Sequence, residues 1–341
     1  MRAAELIAPH QFRLAEMTIS DPGPGEIQVK VDSVGICGSD LHAYSDGAMG
    51  DLPNVYPMVL GHEPAGTIAK TGAGVTGLSA GDRGALEPAL YCYHCEFCMR
   101  GQHNVCKNIR FLSSPGIPGF FREYVNLPAG NFLPIPKELS LDHATLVEPL
   151  AVVLHSMQFA SIALGETVTV IGCGPIGLMT VASAKLAGAK RIFAVEPVGA
   201  RRELARHFGA DVALEPSDAA REILRETGGR GVDCAIDCAA REDTTNQALH
   251  VVRNAGRVVL TGIHSSKYVP IEGSTMRRKE ITIFNVRRSN HESHAALELL
   301  QAKAEWFAPL VTHTRPIDRI SDAFSIANDY SEGVGKMIVK P

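Results

Sequence analysis

Hydrophobic and polar positions change their rhythm twice along this 341-residue chain. Over roughly the first 85 residues, apolar and polar positions alternate in short runs broken by Gly and Pro. Glu26-Ile27-Gln28-Val29-Lys30-Val31 follows the turn Asp21-Pro22-Gly23-Pro24-Gly25, and Ala65-Gly66-Thr67-Ile68-Ala69-Lys70 runs into Thr71-Gly72-Ala73-Gly74. A period of two marks half-buried strands, and strands this short and this closely spaced predict a small barrel-like β domain.

From Leu150 to about Ala163 the apolar positions Leu150, Val153, Leu154 and Met157 take helical spacing, which predicts a helix joining two domains. At Thr167 the texture changes again. The β-branched run Val168-Thr169-Val170-Ile171 leads through a glycine turn into a helical stretch, Leu178 to Leu186, and then into the strand Arg191-Ile192-Phe193-Ala194-Val195. Gly231 to Cys238 and Gly256 to Gly262 repeat the strand pattern, so a doubly wound parallel sheet is predicted. Ile281 to Asn290 reads as one more strand with two arginines at its end. The tail carries a helix over Ala295–Ala302 and a last strand over Lys336–Val339. That tail is assigned back to the first domain, whose small sheet needs more strands. The expected chain is therefore α/β, with a β-rich domain of residues 1–150 and 290–341 and a dinucleotide-binding domain of residues 151–289.

Composition narrows the function. Hydrophobic residues at 45% and charged residues at 21% are an ordinary folded balance, and the net charge of −4 comes without a Lys/Arg run. Neither a nucleic acid nor a basic partner is expected. The opening MRAAELIAPHQF lacks the layout of a signal peptide, and the most apolar span, Val168 to Ala184, is broken by three glycines and a proline, so no membrane association is expected. Eight cysteines, four of them between Cys92 and Cys106, read as metal binding in a reducing cytoplasm rather than as a disulfide framework.

Three motifs carry the chemistry. Gly35 to Glu63 offers Cys37, His42, His62 and Glu63 in one glycine- and proline-broken span. Thiolate, imidazole and carboxylate together are the donor set of an open, catalytic zinc site, and Ser39 and His42 follow Cys37 closely enough to share it. Residues 91–107 hold the second motif, with Cys92, Cys95, Cys98 and Cys106 spaced C-x2-C-x2-C-x7-C. Four thiolates close a tetrahedral shell and leave no open position, as in a structural zinc site. His94 and His103 are superfluous there and read as surface residues. The third motif is Gly172-Cys173-Gly174-Pro175-Ile176-Gly177 between a strand and a helix, the turn that cradles a pyrophosphate. Glu196 follows Gly177 at about the offset of the carboxylate that accepts from the ribose hydroxyls, which favours NAD over NADP. Arg201 and Arg202 pull mildly the other way, with one of them reaching ribose or adenine. Glu148, just before an apolar helix, reads either as a first-turn carboxylate or as a zinc ligand carried from afar. Cys234 and Cys238 read as buried thiols, and His264 as a loop residue at a strand's carboxyl end.

In this order, Gly35-Ile36-Cys37-Gly38-Ser39-Asp40-Leu41-His42, Gly61-His62-Glu63, the four-cysteine lobe, Glu148-Pro149-Leu150 and the glycine turn resemble the zinc-dependent medium-chain dehydrogenase/reductase family over essentially the whole chain. The resemblance is strongest to the polyol and threonine dehydrogenase branch, where a glutamate like Glu148 stands in place of a cysteine of the liver and yeast alcohol dehydrogenases. It implies a GroES-like catalytic domain joined to a Rossmann domain, and two zinc ions per chain. Cys37 and His62 then resemble zinc ligands, with Glu63 or Glu148 completing the set and Asp40 orienting His62. Ser39 resembles the hydroxyl that takes the substrate proton and His42 the residue that passes it on, while Gly172, Gly174, Pro175, Ile176, Gly177, Glu196, Arg201 and Arg287 face cofactor. The implied activity is NAD-dependent oxidation of a secondary alcohol, with a polyol, sugar or sugar acid ranked first. A threonine-type or simple secondary alcohol is the alternative substrate, and a non-catalytic nucleotide-binding protein the alternative of another class. A homodimer or homotetramer is expected by the same resemblance.

Overall fold

The computed structural model describes residues 1–49, 52–241 and 243–341, and it divides into two compact units: Met1–Ala151 with Asn290–Pro341, and Val152–Ser289. The boundary falls inside the helix Val147–Ala160, which stops where Ser161 turns to φ +42.

The first unit is built around the strand Glu26–Gly35, longer than its alternating pattern predicts. Ile27, Val29, Val31 and Val34 on it are buried to 1% exposure or less. One edge pairs antiparallel with Glu63–Thr71. The other is shared: Tyr124–Pro128 covers its first half, and Lys336–Lys340 meets its end at Val34 and Gly35. The register sets Gly35 opposite both Glu63 and Ile338, so three strands bring their ends together beside the metal-ligand stretch.

The tail also supplies a helix, Ile320–Asn328, whose stripe Ile320, Ala323, Phe324, Ala327 follows the i, i+3, i+4, i+7 rule and is buried. The Phe324 ring packs at 4.7 Å from Phe12, 5.1 Å from Tyr44 and 5.6 Å from Phe121. Tyr44 belongs to the helix Gly38–Asp46, so this aromatic cluster braces the helix that begins at Cys37.

The second unit holds six parallel strands in the order Val212–Leu214, Arg191–Val195, Thr167–Ile171, Val232–Asp237, Val252–Leu260, Thr282–Asn285. Counted along the chain this is 3-2-1-4-5-6, the order that opens a crevice at the carboxyl end of the first strand. The strand expected over Ile281–Asn290 is confined to Thr282–Asn285, because the backbone leaves extended geometry and Arg288 sits at φ +55. Arg287 and Arg288 therefore lie beyond the sheet.

At the opposite end of these strands, Asp233 ties the unit together. Its carboxylate accepts from the Thr167 N–H and hydroxyl, both at 2.9 Å, from Arg230 at 2.6 Å and from Arg253 at 2.7 Å. Burial works to raise this carboxyl, but Arg230, the Thr167 N–H and Arg253 outweigh it and hold it well below its ordinary value. A carboxyl depressed by folding contributes stability that is present above its unfolded pKa of about 3.9 and disappears as pH falls toward the lower folded value. Asp233→Asn is expected to cost ~2 kcal/mol at neutral pH, and the gap to wild type should hold down to about pH 5 and narrow progressively as the pH falls below about 4. Urea unfolding of both proteins across that range checks it; a gap that widens with acid contradicts the assignment.

Candidate metal and cofactor sites

Cys37 is the residue before the helix Gly38–Asp46 and has an extended backbone, φ −96 and ψ 159. The first helical turn sends Asp40 back to accept the Cys37 N–H at 3.0 Å. His62, just before the strand Glu63–Thr71, and Glu63, its first residue, are 5% and 1% exposed. One donor atom each from Cys37, His62 and Glu63 lies within 4.8 Å of the other two. Ser39 Oγ sits 3.4 Å from His62 Nε2, and the Phe111 ring stands 5.4 Å from the imidazole.

The group is electrostatically prepared for a cation. Asp40 is fully buried with Oδ1 3.4 Å from His62 Nδ1, which turns the other ring nitrogen toward Cys37 and Glu63. Burial alone would raise the Asp40 carboxyl, yet His62 and the N–H groups of Cys37 and Gly61 hold it below its ordinary value. Burial alone would lower the His62 pKa, yet Asp40 and Cys37 hold it well above the usual range. A divalent ion fits the same donors.

Glu63 has a second neighbour that the pattern of the chain did not reveal. Lys336, only 1% exposed, forms an ion pair with the Glu63 carboxylate and donates to the Ile36 carbonyl at 2.9 Å. Among the described residues none donates a hydrogen bond of regular geometry to either Glu63 oxygen, so the carboxylate is charge-paired yet keeps lone pairs for a metal. Gly35 makes the meeting possible, since a Cβ there would lie 2.1 Å from Glu63 Oε2 and 2.7 Å from Lys336 Cε. Glu148, half-buried on the helix Val147–Ala160, is not a member of the Cys37–His62–Glu63 group. His42 stands one turn beyond Ser39, with Nδ1 2.8 Å from Asp46 Oδ2, and shares no hydrogen bond with Ser39.

Cys92, Cys95, Cys98 and Cys106 converge as the spacing predicts. Their sulfurs lie 3.4 Å apart for Cys92–Cys106 and 3.9 Å for both Cys92–Cys98 and Cys95–Cys106. A zinc–sulfur bond of about 2.3 Å implies a tetrahedral edge of about 3.8 Å, so the cage fits zinc. Backbone donation, chiefly from His94, pulls the Cys92 thiol down to about 5, while burial pushes Cys98 up to about 12. A central cation removes that division by favouring all four thiolates. His94 is exposed as expected, but His103 is not simply a surface residue. Its Nδ1 lies 2.7 Å from His291 Nε2, and Asn290 accepts from its N–H at 2.9 Å and donates to Gly101 at 2.9 Å, which ties the lobe to the start of the tail.

In the second unit the strand Thr167–Ile171 delivers Gly172, and the helix Pro175–Leu186 starts at Gly174 with no side-chain cap. Its first N–H groups are free to meet an anion. Gly177 packs so tightly that a Cβ would stand 1.8 Å from the Gly172 carbonyl oxygen, whereas at Gly174 a Cβ meets only Arg201, at 4.0 Å. Glu196 ends the next strand and is 4% exposed. Its carboxylate accepts from the Cys173 N–H at 2.7 Å and the Val198 N–H at 3.0 Å, so it is locked against the glycine turn. Arg201 is buried nearby, Arg202 donates to the Glu196 and Pro197 carbonyls at 2.8 Å, and Arg287 is exposed past the edge strand. His264 lies 3.4 Å from the Thr245 hydroxyl, and Cys234 and Cys238 are driven up to about 12 by burial.

Residues 23–137 match the alcohol dehydrogenase GroES-like domain, and residues 175–302 match the zinc-binding dehydrogenase domain. Sorbitol dehydrogenase of Bacillus subtilis (strain 168) is 33% identical over 100% of this chain and 97% of that enzyme. L-threonine 3-dehydrogenase of Pyrococcus horikoshii is 34% identical over 92% of this chain and 91% of that enzyme. Among solved structures, a Sinorhizobium meliloti 1021 protein classed as a zinc-binding dehydrogenase and bound to NADP superposes with a TM-score of 0.90 at 29% identity, covering 100% of this chain and 99% of that one.

The Lys336–Glu63 pair gives a direct test of which carboxylate meets the metal. Lys336→Met leaves a buried carboxylate without its counter-charge, and metal-free protein is expected to lose ~3 kcal/mol of stability. If zinc takes up Glu63, saturation with the metal should shrink that loss to about 1 kcal/mol. Denaturant unfolding with and without zinc measures both numbers, and an equal loss in the two conditions means that Glu63 stays off the metal.

Proposed function

The chain belongs to the zinc-binding dehydrogenase family with an alcohol dehydrogenase GroES-like domain, and from that premise we propose that it oxidises a secondary hydroxyl of a polyol, sugar or sugar acid with NAD as hydride acceptor. That it is an oxidoreductase acting on CH–OH groups follows from membership, and this leaves the non-catalytic alternative without support. The observation that carries the finer reading is the convergence of Cys37, His62 and Glu63 beside the Ser39 hydroxyl.

Cys37, His62 and Glu63 are the side chains that would hold the catalytic zinc, with Glu148 in reserve on its own helix. Cys92, Cys95, Cys98 and Cys106 would hold a second, structural zinc. When bound, the catalytic metal supplies Lewis acidity to the alcohol, and the nicotinamide supplies the hydride acceptor. The protein's own residues do the rest. Asp40 fixes the His62 ring, Ser39 Oγ holds the hydroxyl proton, and His42, braced by Asp46, is the next stop toward solvent. A carboxylate in the donor set suits a substrate that offers adjacent hydroxyls, which favours a polyol over a simple alcohol. The sorbitol dehydrogenase relative supports that ranking, and the L-threonine 3-dehydrogenase relative keeps an amino alcohol as the second reading.

NAD is proposed over the NADP bound by the S. meliloti protein because Glu196 is a fixed carboxylate at the end of the second strand, the position from which an acidic side chain accepts from the ribose hydroxyls and disfavours a 2′-phosphate. Gly174 leaves room for the pyrophosphate at the helix start, flanked by Pro175 and Ile176, while Arg201 and Arg287 are proposed as outer contacts. Eight free cysteines suit a reducing, cytoplasmic setting. The edge strand Thr282–Asn285 offers a second copy the pairing surface of a homodimer.

A coupled assay over sorbitol, other polyols, sugar acids, threonine and simple secondary alcohols, with each nucleotide, tests these readings together. The largest kcat/KM is expected for a polyol or sugar acid with NAD. Glu196→Ala should move the NADP-to-NAD ratio of kcat/KM toward NADP by about tenfold or more, the equivalent of about 1.4 kcal/mol. Best turnover with threonine sinks the substrate reading, and an unchanged nucleotide ratio sinks the role of Glu196.

A further inference from the structure

Asp40 is the buried hub of the Cys37–His62–Glu63 group, and one of its partners lies far away in sequence. Oδ2 accepts the Cys37 N–H at 3.0 Å, and Oδ1 accepts the Gly61 N–H at 3.1 Å and stands 3.4 Å from His62 Nδ1. These three belong to the metal-ligand residues or their immediate neighbour. The fourth is Ser113, whose Oγ lies 3.2 Å from Asp40 Oδ1 and is the one side-chain hydroxyl in the set.

Ser113 is conspicuous for its backbone. It is 1% exposed and holds φ +85, in the left-handed region where a side chain costs about 1–2 kcal/mol and glycine costs nothing. Its N–H donates to Ile117 at 3.1 Å, and Ser114 donates to Phe111 at 3.0 Å, so the loop is fixed at both ends. Phe111 at its start leans on the His62 ring. The same loop therefore touches His62 twice, by a ring directly and by a hydroxyl through Asp40. What serine offers here that glycine cannot is the Oγ–H donated to Asp40.

We propose that Ser113 is a positioning residue of the metal site: its hydroxyl pins the Asp40 carboxylate, which in turn fixes the His62 ring with Nε2 toward Cys37 and Glu63. The inference rests on the reading of Cys37, His62 and Glu63 as zinc ligands. A carboxylate free to rotate lets the imidazole tilt, so zinc should leave faster even though no ligand has been removed. A purely structural serine predicts the reverse pattern. Replacing it by glycine would relieve backbone strain and change nothing at the metal.

The test uses the zinc-loaded protein and follows release of each zinc to a chromogenic chelator, alongside thermal unfolding. Ser113→Gly is expected to unfold at or above the wild-type temperature and yet release one of its two zincs about five- to tenfold faster, with the other unaffected. Ser113→Ala keeps the Cβ and its backbone strain but loses the hydroxyl, and should release that zinc as fast as Ser113→Gly does. Wild-type release from Ser113→Gly overturns the proposal, and so does wild-type release from Ser113→Ala. Wild-type protein that retains zinc only at the four cysteines, with its metal content unchanged by Cys37→Ser, defeats the metal reading itself and this proposal with it.

Discussion

The first unit depends on a charge pair buried where three strand ends meet. Glu63 and Lys336 are each 1% exposed, and either one alone would be a charge stranded away from water. The pair forms because Gly35, opposite Glu63 in register and close to Lys336 Cε, has no side chain to keep them apart. Lys336 also fills the need of the Ile36 carbonyl, one residue before Cys37. The terminal strand is thereby tied electrostatically to the residue that begins the metal site. This explains why the last residues of the chain belong with the first domain: its sheet needs them as a strand, and its metal-facing carboxylate needs their one buried cation.

A second constraint follows from the first. Glu63 is already neutralised by Lys336, so a metal at Cys37 and His62 competes for it rather than finding it free. An open metal position is more easily kept when one candidate ligand has another cation to turn to. Asp40 works in the other direction. It answers His62 and accepts two backbone N–H groups, which makes the imidazole the fixed member of the group and Glu63 the adjustable one. Fixed histidine, adjustable carboxylate and half-exposed cysteine together suit an open metal site.

Much of this was legible in the sequence, for physical reasons that differ from element to element. The tetrad at Cys92, Cys95, Cys98 and Cys106 was readable because its members are close in sequence, and short loops can only bring them together. The glycine turn was readable because its strand and helix flank it directly, and Glu196 because one helix and one strand separate it from the turn. Lys336 and Ser113 left no such trace. A lysine opening a terminal strand looks like any surface lysine, and only the register beside Gly35 makes it a buried partner. Ser113 depends on a positive φ that nothing in its neighbours announces. The helix Ile320–Asn328 is a different case, since its apolar stripe is present in the sequence, and the strand at Ile281 is shorter than its β-branched residues suggest because the backbone turns at Arg288.

The same distinction bears on Glu63 and Glu148. Sequence order makes them equivalent candidates, because each is a carboxylate beside an apolar run. Burial and charge separate them. Glu63 is enclosed, paired and within 4.8 Å of both Cys37 and His62, whereas Glu148 is half-buried on a helix and outside that group. Glu63 would meet a cation at Cys37 and His62 by turning from one positive charge to another, whereas Glu148 would have to approach by rotation of its side chain or motion of its helix. What distinguishes the two carboxylates is thus a buried lysine side chain that reaches past a glycine to one of them and not the other.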